Sequence, residues 1–272
     1  MRRQFERNGR VISYLVVEPP SGPLAPNLLV LLHAFPLSAE MWHPQLAAAP
    51  AGWRVAAPDV AGFGRSFPLP ASATFEDDAG DVVALLDHLQ HETAVVCGLS
   101  MGGYIAMALA RSAASRLRAL VLANTRPDPD SDEARRSRQE MVGTLERGGP
   151  AAVVDGMLPR LLGPTTREKR PAVVQRVRAI AVAQPADGVR SAIHRLMGRA
   201  DSAAVLSALR CPALVVAGAE DAITGPDVAR RMHEVIPGSE LALIEAAGHL
   251  SSLERPAAFN DLLFAFLRSL PG

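Results

Sequence analysis

The sequence has 272 residues, of which 49% are hydrophobic and 21% are charged, a composition typical of soluble globular proteins. Lys and Arg together number 28, as do Asp and Glu, so no net charge would attract nucleic acid or an anionic membrane surface. No apolar run approaches the roughly 18 residues of a membrane span, and the first residues lack the apolar segment of a signal peptide. We therefore expect one domain with an insertion, no nucleic-acid or membrane partner, and a cytoplasmic location.

The predicted strands begin with a hairpin. Asn8-Gly9 is typical of a type I′ turn and precedes a β-rich run at residues 11–17. The proline-rich stretch at residues 19–23 then forbids regular structure. Short apolar runs follow, and an unbroken run indicates a strand that is covered on both faces of a sheet. These runs lie at residues 28–32, 54–57, 94–97, 119–122, 213–217 and 241–244.

Helices are predicted between these strands. Thr74 can cap a helix that reaches about Leu89, and three acidic residues lie in its first turn, where the helix macrodipole favours negative charge. Further helices are predicted at residues 102–111, 226–235 and 256–268. Strands that alternate with helices predict the α/β class, with a doubly wound, mostly parallel sheet.

Residues 125–209 break this alternation. They contain no convincing strand, and their pattern predicts helices at residues 132–147, 150–162, 167–183 and 188–197. Some 85 residues are too many for a structureless loop. We therefore predict a core domain of residues 1–124 and 210–272, with a helical cap of residues 125–209 over the C-terminal edge of the sheet.

Cys97 lies in one apolar run and Cys211 just before another, far apart in the sequence. This placement favours two buried free thiols over a disulfide, in agreement with a cytoplasmic location.

Ser100 is the predicted nucleophile. A serine held at a sharp strand-to-helix turn needs very small neighbours two residues away on each side, because backbone and helix crowd there, and Gly98 and Gly102 meet this need. The motif alone would arise by chance in roughly one such sequence in ten. The prediction therefore depends on the context, a buried strand that ends at Gly98 and a small-residue helix that follows. The alternative is a glycine-rich turn needed only for packing.

A serine hydroxyl needs a base, and the base needs an acid that orients it. Of the seven histidines, His249 lies in a loop directly after the predicted strand at residues 241–244. Asp221 lies on a similar loop after the strand at residues 213–217, with Glu220 as a neighbour that could take its place. Loops at the C-terminal ends of parallel strands are where sites form in open sheets. A solvated loop histidine is the alternative for His249 taken alone.

Backbone N–H groups are predicted to stabilise a tetrahedral oxyanion. Met101 offers one at the start of a helix, and Phe35 offers a second on the loop after residues 28–32, where Pro36 has no N–H. We interpret His33 as a brace of this loop rather than a catalytic group.

These segments resemble the α/β-hydrolase superfamily. His33-Ala34-Phe35-Pro36, Trp42 and residues 58–66 are similar to its His-Gly-x-Pro and Asp-x-x-Gly-x-Gly-x-Ser signatures. Residues 98–103, 218–221 and 248–256 resemble its nucleophile elbow, acid loop and histidine loop, in the family order Ser, Asp, His. The resemblance covers the chain from about residue 10 to the end, apart from the cap, and is specific for the superfamily but not for a substrate.

Two departures from the family pattern matter. Ala34 replaces the common glycine of the oxyanion loop, and Ser100 replaces the Asp nucleophile of epoxide hydrolases and haloalkane dehalogenases, which argues against an alkyl-enzyme mechanism. By the same resemblance, Asp59 and Arg65 are expected to fix the loop beneath the site.

The resemblance implies a serine hydrolase that cleaves a small carboxylic ester or lactone through an acyl-enzyme on Ser100, similar to carboxylesterases and enol-lactonases. Its partner would be the small-molecule substrate. Trp42, Leu99 and Leu250 are predicted to line an apolar substrate pocket, and the alternative is that they are ordinary core. No metal or cofactor is expected, because the sequence carries no dinucleotide, C-x-x-C or H-E-x-x-H motif.

Two other functions stay open at this point. Pro36 is similar in place to a proline in cofactor-free haloperoxidases and perhydrolases of this fold, in which peroxide replaces water as the second nucleophile. A slow-turnover small-molecule receptor of the same fold is the third possibility.

Overall fold

The structure is a computed structural model that describes residues 1–19, 27–70 and 72–271. Within these residues a single sheet of eight strands runs through the protein. The strands are β1 (Arg2–Arg7), β2 (Arg10–Val17), β3 (Asn27–Leu32), β4 (Trp53–Pro58), β5 (Ala94–Leu99), β6 (Leu117–Ala123), β7 (Ala213–Gly218) and β8 (Glu240–Ile244). Their order in the sheet is β1-β2-β4-β3-β5-β6-β7-β8. The six strands β4, β3, β5, β6, β7 and β8, in sheet order, pair in parallel. The pairs β1 with β2 and β2 with β4 are antiparallel.

The predicted hairpin is confirmed. Arg7 pairs with Arg10, so Asn8 and Gly9 form a two-residue turn, and both have positive φ, as a type I′ turn requires. Most of the proline-rich stretch predicted at residues 19–23 lies outside the described residues.

The apolar runs in β3 to β7 are buried, as predicted, whereas β8 at the edge of the sheet is only half-buried over residues 241–243. In β3, Leu28, Val30 and Leu32 belong to one hydrophobic core, whereas Leu29 and Leu31 belong to a second core on the opposite face. Alternation of side chains along a strand places these two sets on opposite faces. Because the chain passes from β3 to β4 on one side and then to β5 on the other, a crevice opens at the C-terminal ends of β3 and β5.

Helices cover both faces of the sheet, so the predicted fold class is confirmed. They are α1 (His43–Ala47), α2 (Phe75–His88), α3 (Met101–Ser112), α4 (Asp132–Leu161), α5 (Pro164–Lys169), α6 (Pro171–Val182), α7 (Ala186–Met197), α8 (Ala203–Ser207), α9 (Pro226–Val235), α10 (Ser251–Glu254) and α11 (Pro256–Ser269), with short 3-10 turns at Ala39–Trp42 and Ala114–Arg116. Thr74 caps α2 in a capping box with Asp77.

Residues 125–209, called the helical segment below, contain α4 to α8 and no strand. Gly149, with φ of 65°, interrupts α4 where the sequence predicts a break before Pro150. The single helix predicted at residues 167–183 is wrong: α5 ends at Lys169 and α6 starts at Pro171, because a proline ring cannot continue the preceding helix. The short helix α8 was not predicted. The division into core and cap stays a prediction.

Both cysteines are free, as predicted, but only Cys97 is buried, whereas Cys211 is half-buried. Among the described residues, no helix is both long and apolar enough to cross a bilayer.

Candidate active site

Ser100 lies at the sharp turn between β5 and α3. Its backbone has φ of 55° and ψ of −111°, a conformation that residues other than glycine rarely adopt. A Cβ on Gly98 would lie 2.2 Å from the carbonyl oxygen of Gly102, and a Cβ on Gly102 would lie 2.1 Å from that of Leu32. The two glycines are therefore required by close backbone approach, for the reason that the motif predicts.

The side chains of Ser100, His249 and Asp221 come from three separate loops and form a hydrogen-bonded series with His249 in the middle. The Nε2 atom of His249 lies 2.8 Å from Ser100 Oγ, and its Nδ1 atom lies 2.9 Å from Asp221 Oδ2. The side chains of His249 and Asp221 are 2% and 0% exposed, so water competes little with these contacts. The structure thus brings together the three predicted residues, in a geometry that allows a proton to pass from the serine to the histidine.

Asp221 is held as a carboxylate. Its Oδ1 accepts hydrogen bonds from the backbone N–H groups of Ile223 and Thr224, and its Oδ2 accepts from Asn124 Nδ2 and the Thr224 hydroxyl. Burial alone would raise the pKa of Asp221, but the neighbouring His249 and these donors outweigh burial and hold that pKa well below its ordinary value. An ionised Asp221 accepts the Nδ1 proton of His249, which leaves Nε2 to accept the proton of Ser100.

The Glu220 side chain bonds to Thr165 of the helical segment rather than to His249. Its carboxylate accepts from the backbone N–H and the hydroxyl of Thr165, at the start of α5. The structure therefore distinguishes the two acidic neighbours that the sequence left open, and places Asp221 beside His249.

The loop after β3 faces the turn at Ser100. Phe35 and Ser100 line the same cavity, and the N–H of Met101 lies in the first turn of α3, where it has no acceptor within the helix. His33 is fully buried, donates from Nδ1 to the Ala34 carbonyl and accepts from the Val60 N–H at Nε2. Burial lowers the pKa of His33 to about 4, so it stays neutral, as a brace rather than a base.

Asp59 fixes the loop after β4. Its buried carboxylate accepts from the backbone N–H groups of Ala39 and Arg65 and pairs with Arg2. A Cβ on Gly64 would lie 2.2 Å from Asp59 Cγ, which explains the glycine there. Arg65 contributes only its backbone, because its side chain is exposed.

Comparisons with known proteins agree with this fold. Residues 27–148 match the family model of the alpha/beta hydrolase fold, and residues 196–270 match that of a TAP-like protein. A thermophilic esterase from Thermogutta terrifontis shares 35% sequence identity over 99% of both chains, with a TM-score of 0.91. The chain belongs to the alpha/beta hydrolase family.

Two further members are enol-lactonases. The enol-lactonase from Burkholderia xenovorans LB400 is 30% identical, with a TM-score of 0.89 over 98% of this chain and 100% of that one. The 3-oxoadipate enol-lactonase 1 of Acinetobacter baylyi is 28% identical over 97% of this chain and 96% of its own. This alpha/beta hydrolase is therefore an enzyme of the hydrolase class.

A cavity of about 550 Å³ opens beside Ser100 and His249 in this alpha/beta hydrolase. Phe35 and Tyr104 line it from the core, and Met141, Val153, Met157 and Leu161 line it from α4. The wall also carries charges of both signs, from three arginines and three acidic residues: Arg126, Arg138, Arg160, Asp130, Glu133 and Glu140. The volume lies within the roughly 300–1,000 Å³ of small-molecule sites.

The predicted pocket residues Trp42, Leu99 and Leu250 are wrong. Each is fully buried in the hydrophobic core, and none lines the cavity beside Ser100. Trp42 instead packs on the ring of Phe259, at 5.9 Å between centroids. Leu99 and Leu250 directly adjoin Ser100 and His249 in sequence, but consecutive side chains leave a strand or a tight loop in different directions.

Sequence reasoning also missed the residues that support Asp221. Asn124 follows β6 directly, and its amide donates to Asp221 at 2.8 Å and to the Gly248 carbonyl at 3.2 Å. Its positive φ of 46°, common for Asn but rare for most residues, marks a loop at the C-terminal edge of the sheet. A polar residue directly after a buried strand was the signal available for it.

Proposed function

We propose that this enzyme hydrolyses a small carboxylic ester or lactone through an acyl-enzyme on Ser100. The observation that carries the proposal is the continuous hydrogen-bonded series from Asp221 through His249 to Ser100, which opens onto the cavity. Identities of 28% to 35% with an esterase and two enol-lactonases support an ester bond as the target.

In the first half-reaction, Ser100 Oγ attacks the carbonyl carbon while His249 Nε2 takes its proton. Asp221 stabilises the imidazolium that forms, and the N–H groups of Phe35 and Met101 bind the oxyanion of the tetrahedral intermediate. His249 then returns the proton to the departing alcohol oxygen, which leaves the acyl group on Ser100. In a lactone, this alcohol stays attached to the acyl group.

In the second half-reaction, water attacks the acyl carbonyl while His249 takes its proton, and the acid is released with Ser100 restored. We assign the helical segment the role of a cap that shields these steps. Its Val153, Met157 and Leu161 offer apolar contacts for an acyl chain.

A chain-length series of p-nitrophenyl esters tests the proposal. Ser100→Ala and His249→Ala are each expected to lower kcat at least about 10³-fold, because nucleophile and base act as one unit. Ser112→Ala is the matched control, since its hydroxyl only bonds the Ala108 carbonyl within α3. Mass spectrometry of a quenched reaction should show the acyl group on Ser100 in the wild type.

Other results would replace the proposal. Ester hydrolysis retained in Ser100→Ala would show that the nucleophile lies elsewhere. Peracid formation from acetate and peroxide, faster than with Ser100→Ala, would indicate a perhydrolase. Very slow turnover together with strong thermal stabilisation by ligand would indicate a receptor.

A further inference from the structure

Glu254 lies five residues after His249, at the end of α10, and is completely buried. Its Oε1 accepts hydrogen bonds from the backbone N–H groups of Gly248 and Leu250, at 3.0 and 3.1 Å. Its Oε2 accepts from the N–H of Gly163, at 2.9 Å. Gly248 and Leu250 flank His249, and Gly163 is the N-cap residue directly before α5 of the helical segment. One carboxylate therefore joins the histidine loop to the helical segment.

Three backbone N–H groups converge on the Glu254 carboxylate. An ionised carboxylate accepts hydrogen bonds and donates none, so its two oxygens satisfy three buried N–H groups that have no other acceptor among the described residues. No ion pair reaches the Glu254 carboxylate within the described part of the chain. A buried charge without a cation is costly, and hydrogen bonds from these three peptides offset that cost.

The backbones around Glu254 are packed too closely to move independently. A Cβ on Gly248 would lie 2.2 Å from the Gly163 nitrogen, and a Cβ on Gly163 would lie 2.9 Å from the Gly248 nitrogen. Thr165, two residues further along, is held by Glu220 on the loop of Asp221. The start of α5 is thus fixed to both the acid loop and the histidine loop.

We propose that Glu254 is a positioning residue for His249, and that the same carboxylate sets the position of the helical segment relative to that base. The inference rests on the proposed function, in which His249 is the general base. Leu161, two residues before Gly163, lines the cavity, so contacts made by an acyl chain there act on the segment that Glu254 ties to His249.

Glu254→Met removes the acceptor while keeping an unbranched side chain. With a short p-nitrophenyl ester, we expect kcat to fall at least about 20-fold with KM within threefold, because the base is misplaced while the cavity remains. Phosphonylation of Ser100 by a small fluorophosphonate should slow by a similar factor. Glu245→Met is the matched control, since Glu245 is exposed on the same loop, and should stay within twofold of wild type.

Glu254→Gln is the conservative rescue. Its amide oxygen can still accept from Gly248 and Leu250, while its NH₂ group opposes the N–H of Gly163, so we expect at least half of the lost kcat to return on a logarithmic scale. Gly163→Ala disturbs the same contact from the other side and should lower kcat at least fivefold; it serves if Glu254→Met fails to fold. Unchanged kcat in the folded variants, or a loss that only follows the folded fraction by circular dichroism, would overturn the proposal.

A substrate-free measurement separates this proposal from the proposed function. The proton on His249 Nδ1, hydrogen-bonded to Asp221, gives a low-field NMR resonance that needs no turnover. We expect it in the wild type and its loss in Glu254→Met. Its persistence in Glu254→Met would refute positioning, whereas a wild type that shows the resonance but hydrolyses no ester would refute only the proposed function.

Discussion

Asp78 gives a pH-dependent stability that can be worked out from the structure. It lies on α2, is 3% exposed, and neither of its carboxylate oxygens has a hydrogen bond among the described residues. Its nearest cation is Arg195 on α7, with Nε 3.2 Å from Oδ2. Burial raises the pKa of Asp78 from 3.8 to about 7, because the attraction of Arg195 only partly offsets the loss of hydration.

Proton binding by Asp78 decides whether stability rises or falls with pH. Between the unfolded pKa near 4 and the folded pKa near 7, the folded state holds a proton on Asp78 that the unfolded state has lost, so stability falls as pH rises. The full difference corresponds to about 4 kcal/mol, of which about 3 kcal/mol is lost between pH 5 and pH 8.5. Asp78→Asn, which cannot ionise, should abolish this loss.

The wild-type profile alone does not isolate Asp78. Burial lowers the pKa of His33 to about 4, and a base with a lowered pKa makes stability rise with pH between about 4 and 6.5. The informative quantity is therefore the difference between Asp78→Asn and wild type, from urea unfolding at pH 5 and pH 8.5. It should shift by about 3 kcal/mol in favour of the variant at the higher pH.

Asp87→Asn is the matched control, because Asp87 lies on the same helix with its side chain 63% exposed. Its difference from wild type should stay within about 0.5 kcal/mol at both pH values, as for other exposed ion pairs. A difference for Asp78→Asn that is equally unchanged between pH 5 and pH 8.5 would refute the reasoning, since Asp78 would then titrate alike in both states.

Three further predictions concern the site and the core strand β5 that leads to it. Gly102→Ala places a Cβ 2.1 Å from the Leu32 carbonyl oxygen and should lower the free energy of unfolding by at least about 2 kcal/mol in urea; an unchanged midpoint would contradict the close approach. Asn124→Ala removes one donor from the Asp221 carboxylate and should lower kcat/KM about tenfold, with an unchanged circular dichroism spectrum; a loss below twofold would count against it. Burial raises the pKa of the Cys97 thiol, so Ellman's reagent should label it only on unfolding, and labelling of the native protein at Cys97 would show that the core opens.

The fold and the meeting of Ser100, His249 and Asp221 could be predicted because each leaves a local pattern. A strand covered on both faces is a short apolar run, as in β3, and the close backbone approach at Ser100 demands glycine at positions 98 and 102. The loops of Asp221 and His249 each follow such a run, and parallel strands place their C-terminal ends at one edge. The local sequence pattern and the sheet topology together are enough to predict that these side chains lie close together.

The cavity could not be predicted in the same way. Leu99 and Leu250 adjoin Ser100 and His249 in sequence and Trp42 follows the loop of Phe35, yet all three are buried in the core. The actual wall comes largely from α4, where Met141, Val153 and Met157 form no motif. Which helix face covers Ser100 depends on how α4 packs, and that packing is decided by contacts distant in the sequence.

Glu254 shows why supporting residues are harder to find than reactive ones. An acidic residue at a helix end is ordinarily a solvated side chain, and the family resemblance over residues 248–256 does not show that Glu254 is buried while Glu245 is exposed. The difference lies in the backbone N–H groups around it, one of which belongs to Gly163, 91 residues away. A carboxylate can remain buried there only because three peptides converge on it, and that convergence exists only once the histidine loop and the start of α5 are in contact. The local pattern therefore locates the proposed nucleophile, base and acid, while the contacts around Glu254 are decided by tertiary packing.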